Sequence, residues 1–178
     1  MTAKSLWGVL AQYETPAAVF HACEKVRDEG YQQWDSCAPF PVHGLEKAMG
    51  VKPSKLPWAV LIVGVLGSSL MLFFQTWAMG NAYPFVVGGK PLFSLPAFVP
   101  IWYEITVLSS CVTAFLANWI MNGLPQPYHP AFASKAFERV TDDKFFIMIE
   151  ATDPKFDLEK TTALLKSAGA TMVEELEP

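Results

Sequence analysis

Two proline-rich runs hold most of the side chains able to bind a metal or carry a proton. "PFPVHGLEKAMG" (Pro39 to Gly50) contains Pro39, Pro41 and His43, and "LPQPYHPAF" (Leu124 to Phe132) contains Tyr128 and His129. An imidazole titrates near neutral pH, so either histidine could relay a proton, and with Cys37 the two could supply part of a metal site. No third nitrogen or carboxylate ligand falls at zinc-like spacing. The alternative is a stiff joint in which each histidine hydrogen-bonds backbone or a partner protein. His21 and Cys23 stand two apart on an expected helix and so point to different faces, which leaves His21 on the solvent side. Glu104 is the one acid in a long apolar region, which makes it a proton-path candidate. Its expected place in the first turn of a helix beginning after Pro100 would put it near an interface, where the helix dipole favours its charge, and Gln75 could hydrogen-bond it. "DDK" (Asp142 to Lys144) and "DPKFD" (Asp153 to Asp157) gather carboxylates of the kind that serve acid/base chemistry or hold hard cations, but they bracket an apolar strand as turn and cap residues. No nucleophile, base and orienter come together, so no catalytic residue, cofactor ligand or metal ligand is expected in this chain.

These residues are distributed over two kinds of chain. Of 178 residues, 52% are hydrophobic and 17% charged, against roughly 25% charged in an average soluble domain. Between Lys55 and Lys135 the only Asp, Glu, Lys or Arg residues are Lys90 and Glu104, so the deficit is local. A soluble portion and a membrane portion therefore share one small protein. The net charge of −4 and the lack of a basic stripe argue against a nucleic-acid partner. The start, "MTAKSLWGVLAQYETP", lacks the apolar core and small-residue cleavage site of a signal peptide, which predicts a cytoplasmic N-terminus. Cys23, Cys37 and Cys111 match no spacing that holds iron–sulfur clusters or c-type haem, and disulfides are not expected.

"WAVLIVGVLGSSLMLFFQTWAM" is an uncharged stretch of 22 residues, about 33 Å as a helix and long enough for a hydrocarbon core of about 30 Å. The sequence predicts membrane helices over about 58–79 and 101–121, with Pro100 at the first position of the second. Trp58, Trp77, Trp102 and Trp119 form the expected aromatic belts, and Gly64, Ser68, Ser110, Ala114 and Ala117 form small faces that let the helices approach. Lys47, Lys52, Lys55, Lys135 and Arg139 flank the pair, whereas the connecting loop over 80–100 holds only Lys90, which predicts both termini in the cytoplasm. That loop exposes Phe85, Val86, Val87, Leu92, Phe93, Leu95 and Phe98, an apolar surface suited to a partner protein or the membrane surface.

The flanks repeat one pattern. "SLWGVLAQY" reads as a strand, Thr15 and Pro16 start a helix that buries Val19, Phe20, Cys23 and Val26 and stops near Gly30, and "YQQWDSC" is a second strand. "KFFIMIEA" is a third strand, Asp157 caps a helix burying Leu158, Leu165 and Ala168 before Gly169, and "ATMVEEL" is a fourth strand. Two βαβ units, each too small for its own core, predict an α+β protein: one ferredoxin-like βαββαβ sandwich with strands one and three central. Residues 1–56 form its first half with the first Pro/His collar, 57–122 an inserted transmembrane hairpin, and 123–178 the second collar and second half.

With both collars, the hairpin and the split domain in place, the chain resembles the ActD family of alternative complex III, a bacterial quinol-oxidising respiratory assembly. The resemblance is carried by "PFPVHGLEKAMG", "SKLPW", "GGKPLFSLPAFVPIWYE", "GLPQPYHPAF" and "DKFFIMIEATDPKFD". It implies a cofactor-free, non-catalytic subunit of the bacterial inner membrane. Its implied neighbours are polytopic quinol-binding membrane subunits, an iron–sulfur subunit and cytochrome c subunits with haem c, and electrons would pass to a cytochrome c or to an associated terminal oxidase. Assembly support and a part in proton movement are both roles such a subunit could have, through Glu104, His43 or His129 in the second case. Partner contacts would fall on Pro39, Pro41, His43, Tyr128, His129, Phe85, Phe93 and Phe98. The competing class is a membrane-tethered regulatory or ligand-binding module with no respiratory complex.

Overall fold

A computed structural model describes residues 6–178, so Ser5, expected to open the first strand, and the four residues before it lie outside the described residues. The elements run β1 (Gly8–Tyr13), α1 (Pro16–Glu29), β2 (Trp34–Cys37), α2 (Leu45–Met49), α3 (Leu56–Trp77), α4 (Leu95–Met121), β3 (Phe145–Glu150), α5 (Leu158–Ser167) and β4 (Met172–Leu176). They divide into two compact units, Met1–Lys52 with Pro127–Pro178, and Pro53–Gln126.

In the first unit the strands form one four-stranded sheet in the order β2-β3-β1-β4. Every pairing is antiparallel, with Ala11 opposite Ile147 and Val173, and Ser36 opposite Ile147. The order alternates between the two ends of the chain, so β1 has no neighbour from its own half. The central pair, β1 and β3, is covered on both faces, which explains why both strands read as nearly unbroken apolar runs. Val9, Ala11, Tyr13, Phe145, Ile147 and Ile149 face one core with Val19, Ala22, Cys23 and Val26 of α1 and Leu165 of α5. Leu10, Phe146, Met148 and Leu176 face a second core closed by Ala131 and Phe137. Those two residues belong to short 3₁₀ turns, Pro130–Ala133 and Ala136–Thr141, that follow the second proline-rich run.

Local rules set the helix ends. The Thr15 side chain accepts from the Ala18 amide and Pro16 supplies a preset φ at the start of α1, while Gly30, at φ +82°, closes it in the left-handed conformation. Asp157 accepts from the Lys160 amide at 3.0 Å to start α5. Phe20, Leu158 and Ala168, expected inside, are only partly buried against the core.

The second unit is an antiparallel pair of helices. Two of its segments, Leu56–Ala82 and Leu95–Met121, are long and apolar enough to cross a membrane. The first includes a π-helical turn, Ala78–Ala82, that continues α3. A Cβ on Gly64 would meet Ser110 Oγ at 2.6 Å, and one on Gly67 would meet Ser109 Oγ at 2.6 Å, so the glycines bring the backbones together. The second helix departs from expectation: α4 begins at Leu95, with Pro96 in its first turn and Pro100 inside it. Both prolines suit a helix start. Pro100 is tolerated later because its missing N–H costs only one hydrogen bond, to the Pro96 carbonyl near the helix end. The loop is correspondingly shorter than 80–100. Glu104 lies nine residues into α4, about 13 Å along its axis, and not in its first turn.

Candidate functional site

The two proline-rich runs are folded parts of the sheet unit. In the first run, Gly44 at φ +83° turns the chain into α2, and Ala48 of α2 is 2% exposed in the helix-side core. Arg27 Nη1 donates to the carbonyls of Lys47 at 3.1 Å and Ala48 at 3.0 Å, tying the end of α2 to α1. Phe40 stands edge-on to Phe145, ring centres 5.5 Å apart. His43 is exposed beside a cleft of about 370 Å³ formed by the run's own Pro41, Val42, Gly44, Glu46 and Lys47. Pro39 is half-buried and Pro41 exposed.

In the second run, His129 Nδ1 accepts from the Ala131 amide at 3.2 Å and caps the first 3₁₀ turn. Its ring stands edge-on to Trp7 at 4.8 Å. Ser134 is buried and its hydroxyl donates to Glu174 Oε2 at 2.5 Å, which fixes the run to β4. Accepting an N–H requires a neutral Nδ1, so this nitrogen carries no proton while the cap is made. His129→Ala is expected to loosen the turn by about 1 kcal/mol, and His129→Asn, which can still cap, by less. Hydrogen exchange at the amides of residues 131–134 in the detergent-extracted chain checks this; unchanged protection in the alanine variant would refute the cap.

Cys37 packs beside the second core, where burial and the nearby Asp35 charge push its thiol up to about 11. Among the described residues no hydrogen bond or ring contact joins it to His43 or His129, and no group of three or more His, Cys, Asp or Glu is placed to hold a metal ion. Cys23 is buried, and desolvation lifts its thiol to about 11 as well. His21 faces solvent, with Nδ1 3.1 Å from Glu24 Oε2, so the helix does separate the pair.

The two acidic runs act as turns, caps and clamps. Arg139 Nε donates to Asp143 at 2.9 Å, and Lys144 hydrogen-bonds Glu14 across the sheet. That bond holds the Glu14 carboxyl below the usual range against the opposing effect of desolvation. Asp153 has the larger role. Only 4% exposed, its Oδ2 accepts from the amides of Gln32 at 2.5 Å and Gln33 at 2.7 Å, and its Oδ1 from Lys155 at 2.8 Å. Burial pushes its carboxyl up, but the amides of Gln33, Lys155 and Gln32, with the Lys155 charge, outweigh that and leave it below the ordinary aspartate range. Nothing local in "DPKFD" reveals this clamp, because the glutamine amides it holds stand more than a hundred residues earlier.

In the helical pair, Trp102 Nε1 donates to Ser68 Oγ at 2.5 Å, so this tryptophan, expected in an aromatic belt, fastens α4 to α3. Trp58 and Trp119 are exposed. Gln75 is buried and its Nε2 has no partner; no hydrogen bond joins it to Glu104 among the described residues. Phe85 and Phe93 are exposed as expected, at 68% and 54%. Phe98, expected on the same exposed loop, is only 4% exposed in the first turns of α4, with Phe93 edge-on to it at 5.8 Å. The early start of α4 turns this ring inward and removes it from any partner contact. Tyr128 remains exposed.

These observations define a class: a small protein of mixed helix and sheet, with a four-stranded antiparallel sheet and two helices long and apolar enough to span a membrane. Residues 7–175 match the family model described as alternative complex III, ActD subunit, and the chain belongs to that family. It is accordingly a subunit of alternative complex III, a respiratory electron-transport assembly, with the other subunits of that complex as its partners. A comparison with curated proteins found no match.

Proposed function

We propose that this chain is a cofactor-free, non-catalytic scaffold of the quinol-oxidising complex. Its sheet unit is a ferredoxin-like βαββαβ sandwich interrupted by a hairpin that crosses the bacterial inner membrane twice. The observation that carries this reading is the interleaved strand order, in which β1 of the first flank pairs with β3 and β4 of the second. Such a sheet forms only when both flanks lie on one side of the membrane. The lysines and Arg139 beside the hairpin, against Lys90 alone in its loop, support the cytoplasmic side. The chemistry-bearing groups of the sheet unit support a structural role, since His129, Asp153, Asp157 and Lys144 are each engaged in holding turns, caps or strands. The hairpin would pack against polytopic quinol-binding subunits, with iron–sulfur and haem c subunits and a terminal oxidase or cytochrome c completing the electron path.

Gentle detergent extraction followed by native electrophoresis with haem staining tests the assignment. Co-migration with haem-bearing subunits is expected, and a lone small species would favour a free-standing membrane-tethered module instead. On this reading Glu104→Gln leaves quinol-dependent turnover and proton release per assembled complex unchanged. A slowed rate in an assembled complex would assign the carboxylate to a proton path.

A further inference from the structure

The two helices of the hairpin present unlike surfaces away from each other. On α3 the outward side is apolar throughout: Leu61, Ile62, Val65, Leu66, Leu70 and Phe73 are each more than half exposed, at 54% to 68%. On α4 the residues turned toward α3 are Trp102, Ser109 and Ser110. Half a helical turn away from them runs a different seam: Glu104, Leu108, Cys111, Phe115, Asn118 and Asn122, all exposed. Their spacing is 4-3-4-3-4, the 3.5-residue repeat of a helix that packs along another helix in a left-handed pair. Four of the six are polar or polarisable, and Asn122 Nδ2 donates to Asn118 Oδ1 at 2.9 Å, leaving the outer part of both amides unpartnered by α3.

Depth sharpens the contrast. Gly64 lies against Ser110 and Gly67 against Ser109, so Glu104 is level with the turn around Met71, about 9 Å short of Trp77 at 1.5 Å per residue. An ionisable side chain at that level is costly against lipid tails and is found facing protein or a polar cavity. The large apolar side chains Leu108 and Phe115 alternate with the polar ones, which suits a packed helix and not a water-filled channel.

Resting on the scaffold reading above, we propose that this seam of α4 is the docking face for a transmembrane helix of a neighbouring subunit, with a lysine or arginine of that helix opposite Glu104. Charge complementarity selects the occupant. A second copy of this chain packed about a two-fold axis would set Glu104 against Glu104, two like charges in a medium that screens them poorly. The apolar side of α3 faces lipid.

Photo-crosslinking in native membranes tests this. Benzoylphenylalanine is placed at Leu108 or Phe115 on the seam, or at Leu66 or Phe73 on α3, and haem-stained native gels of the same extracts report whether the chain is in the complex. The expected result is seam adducts with a second membrane subunit, and α3 adducts with lipid alone. Seam adducts only with lipid or with another copy, in a chain that co-migrates with haem, would overturn the docking face and leave the scaffold reading standing; a chain that migrates alone overturns both. Glu104→Lys is expected in the membrane but lost from the complex band, whereas Glu104→Gln, which keeps an acceptor for the cation, stays in it. Retention of Glu104→Lys at the wild-type level would overturn the cationic partner.

Discussion

Asp153→Ala is expected to destabilise the sheet unit by about 3 kcal/mol or more, since it strips the acceptor from three backbone amides, each worth about 1–3 kcal/mol when buried and unpaired. The clamp joins Gln32 and Gln33, between α1 and β2, to the turn after β3, so its loss frees one flank from the other. Faster hydrogen exchange in peptides covering residues 31–37 and 150–156 of the extracted chain measures it, and wild-type protection in the variant would refute the clamp. Acid should act in the same direction. Because folding lowers the Asp153 carboxyl, the stabilisation is complete above the ordinary aspartate range and disappears as pH falls through the lowered native value. Asp153→Asn, already less stable at neutral pH, should flatten that part of the acid limb.

Gly8→Ala is the second large effect. A Cβ built on Gly8 would lie 2.3 Å from the Ile149 carbonyl oxygen and 3.0 Å from the Glu150 Cα, both backbone atoms of the adjoining strand. A flexible side chain could swing aside, but here β1 and β3 themselves must part where Gly8 pairs with Glu150. A loss of about 3 kcal/mol is expected, at the upper end of ordinary overpacking. Gly8→Val should be nearly as damaging as the alanine change, because the offending atom is the Cβ itself. Protease resistance of the sheet unit across a denaturant series compares the two; an alanine variant as resistant as wild type would sink the close-approach account.

Much of the architecture is legible in the residues. The unbroken apolar runs in β1 and β3 mark strands covered on both faces, and Thr15-Pro16, Gly30 and Asp157 mark helix ends through their own backbone preferences. Other features depend on contacts that no local pattern encodes. Pro96 and Pro100 are equally suited to open a helix, so the start of α4, and with it the depth of Glu104 and the burial of Phe98, is decided by packing. The runs around His43 and His129 contain a five-residue helix and two 3₁₀ turns, too short for a periodic signal, and they read as joints until their side chains are seen filling both cores. Gly67 sits three residues from Gly64 and is the less visible half of the same close approach. The seam on α4 is present in the spacing from Glu104 to Asn122, but its meaning depends on which side α3 already occupies.

The alternation of strands from the two flanks also sets a timetable for biosynthesis. When β1 leaves the ribosome its neighbours are still untranslated: Phe145 follows Tyr13 by 132 residues, a delay of roughly 7–26 s at 5–20 residues per second. Throughout that interval the nascent N-terminal flank has a strand with both edges bare, while the translocon is engaged with the hydrophobic segments. Assembly of the sheet is thus the last event, and it succeeds only in molecules whose hairpin has already returned the chain to its starting compartment.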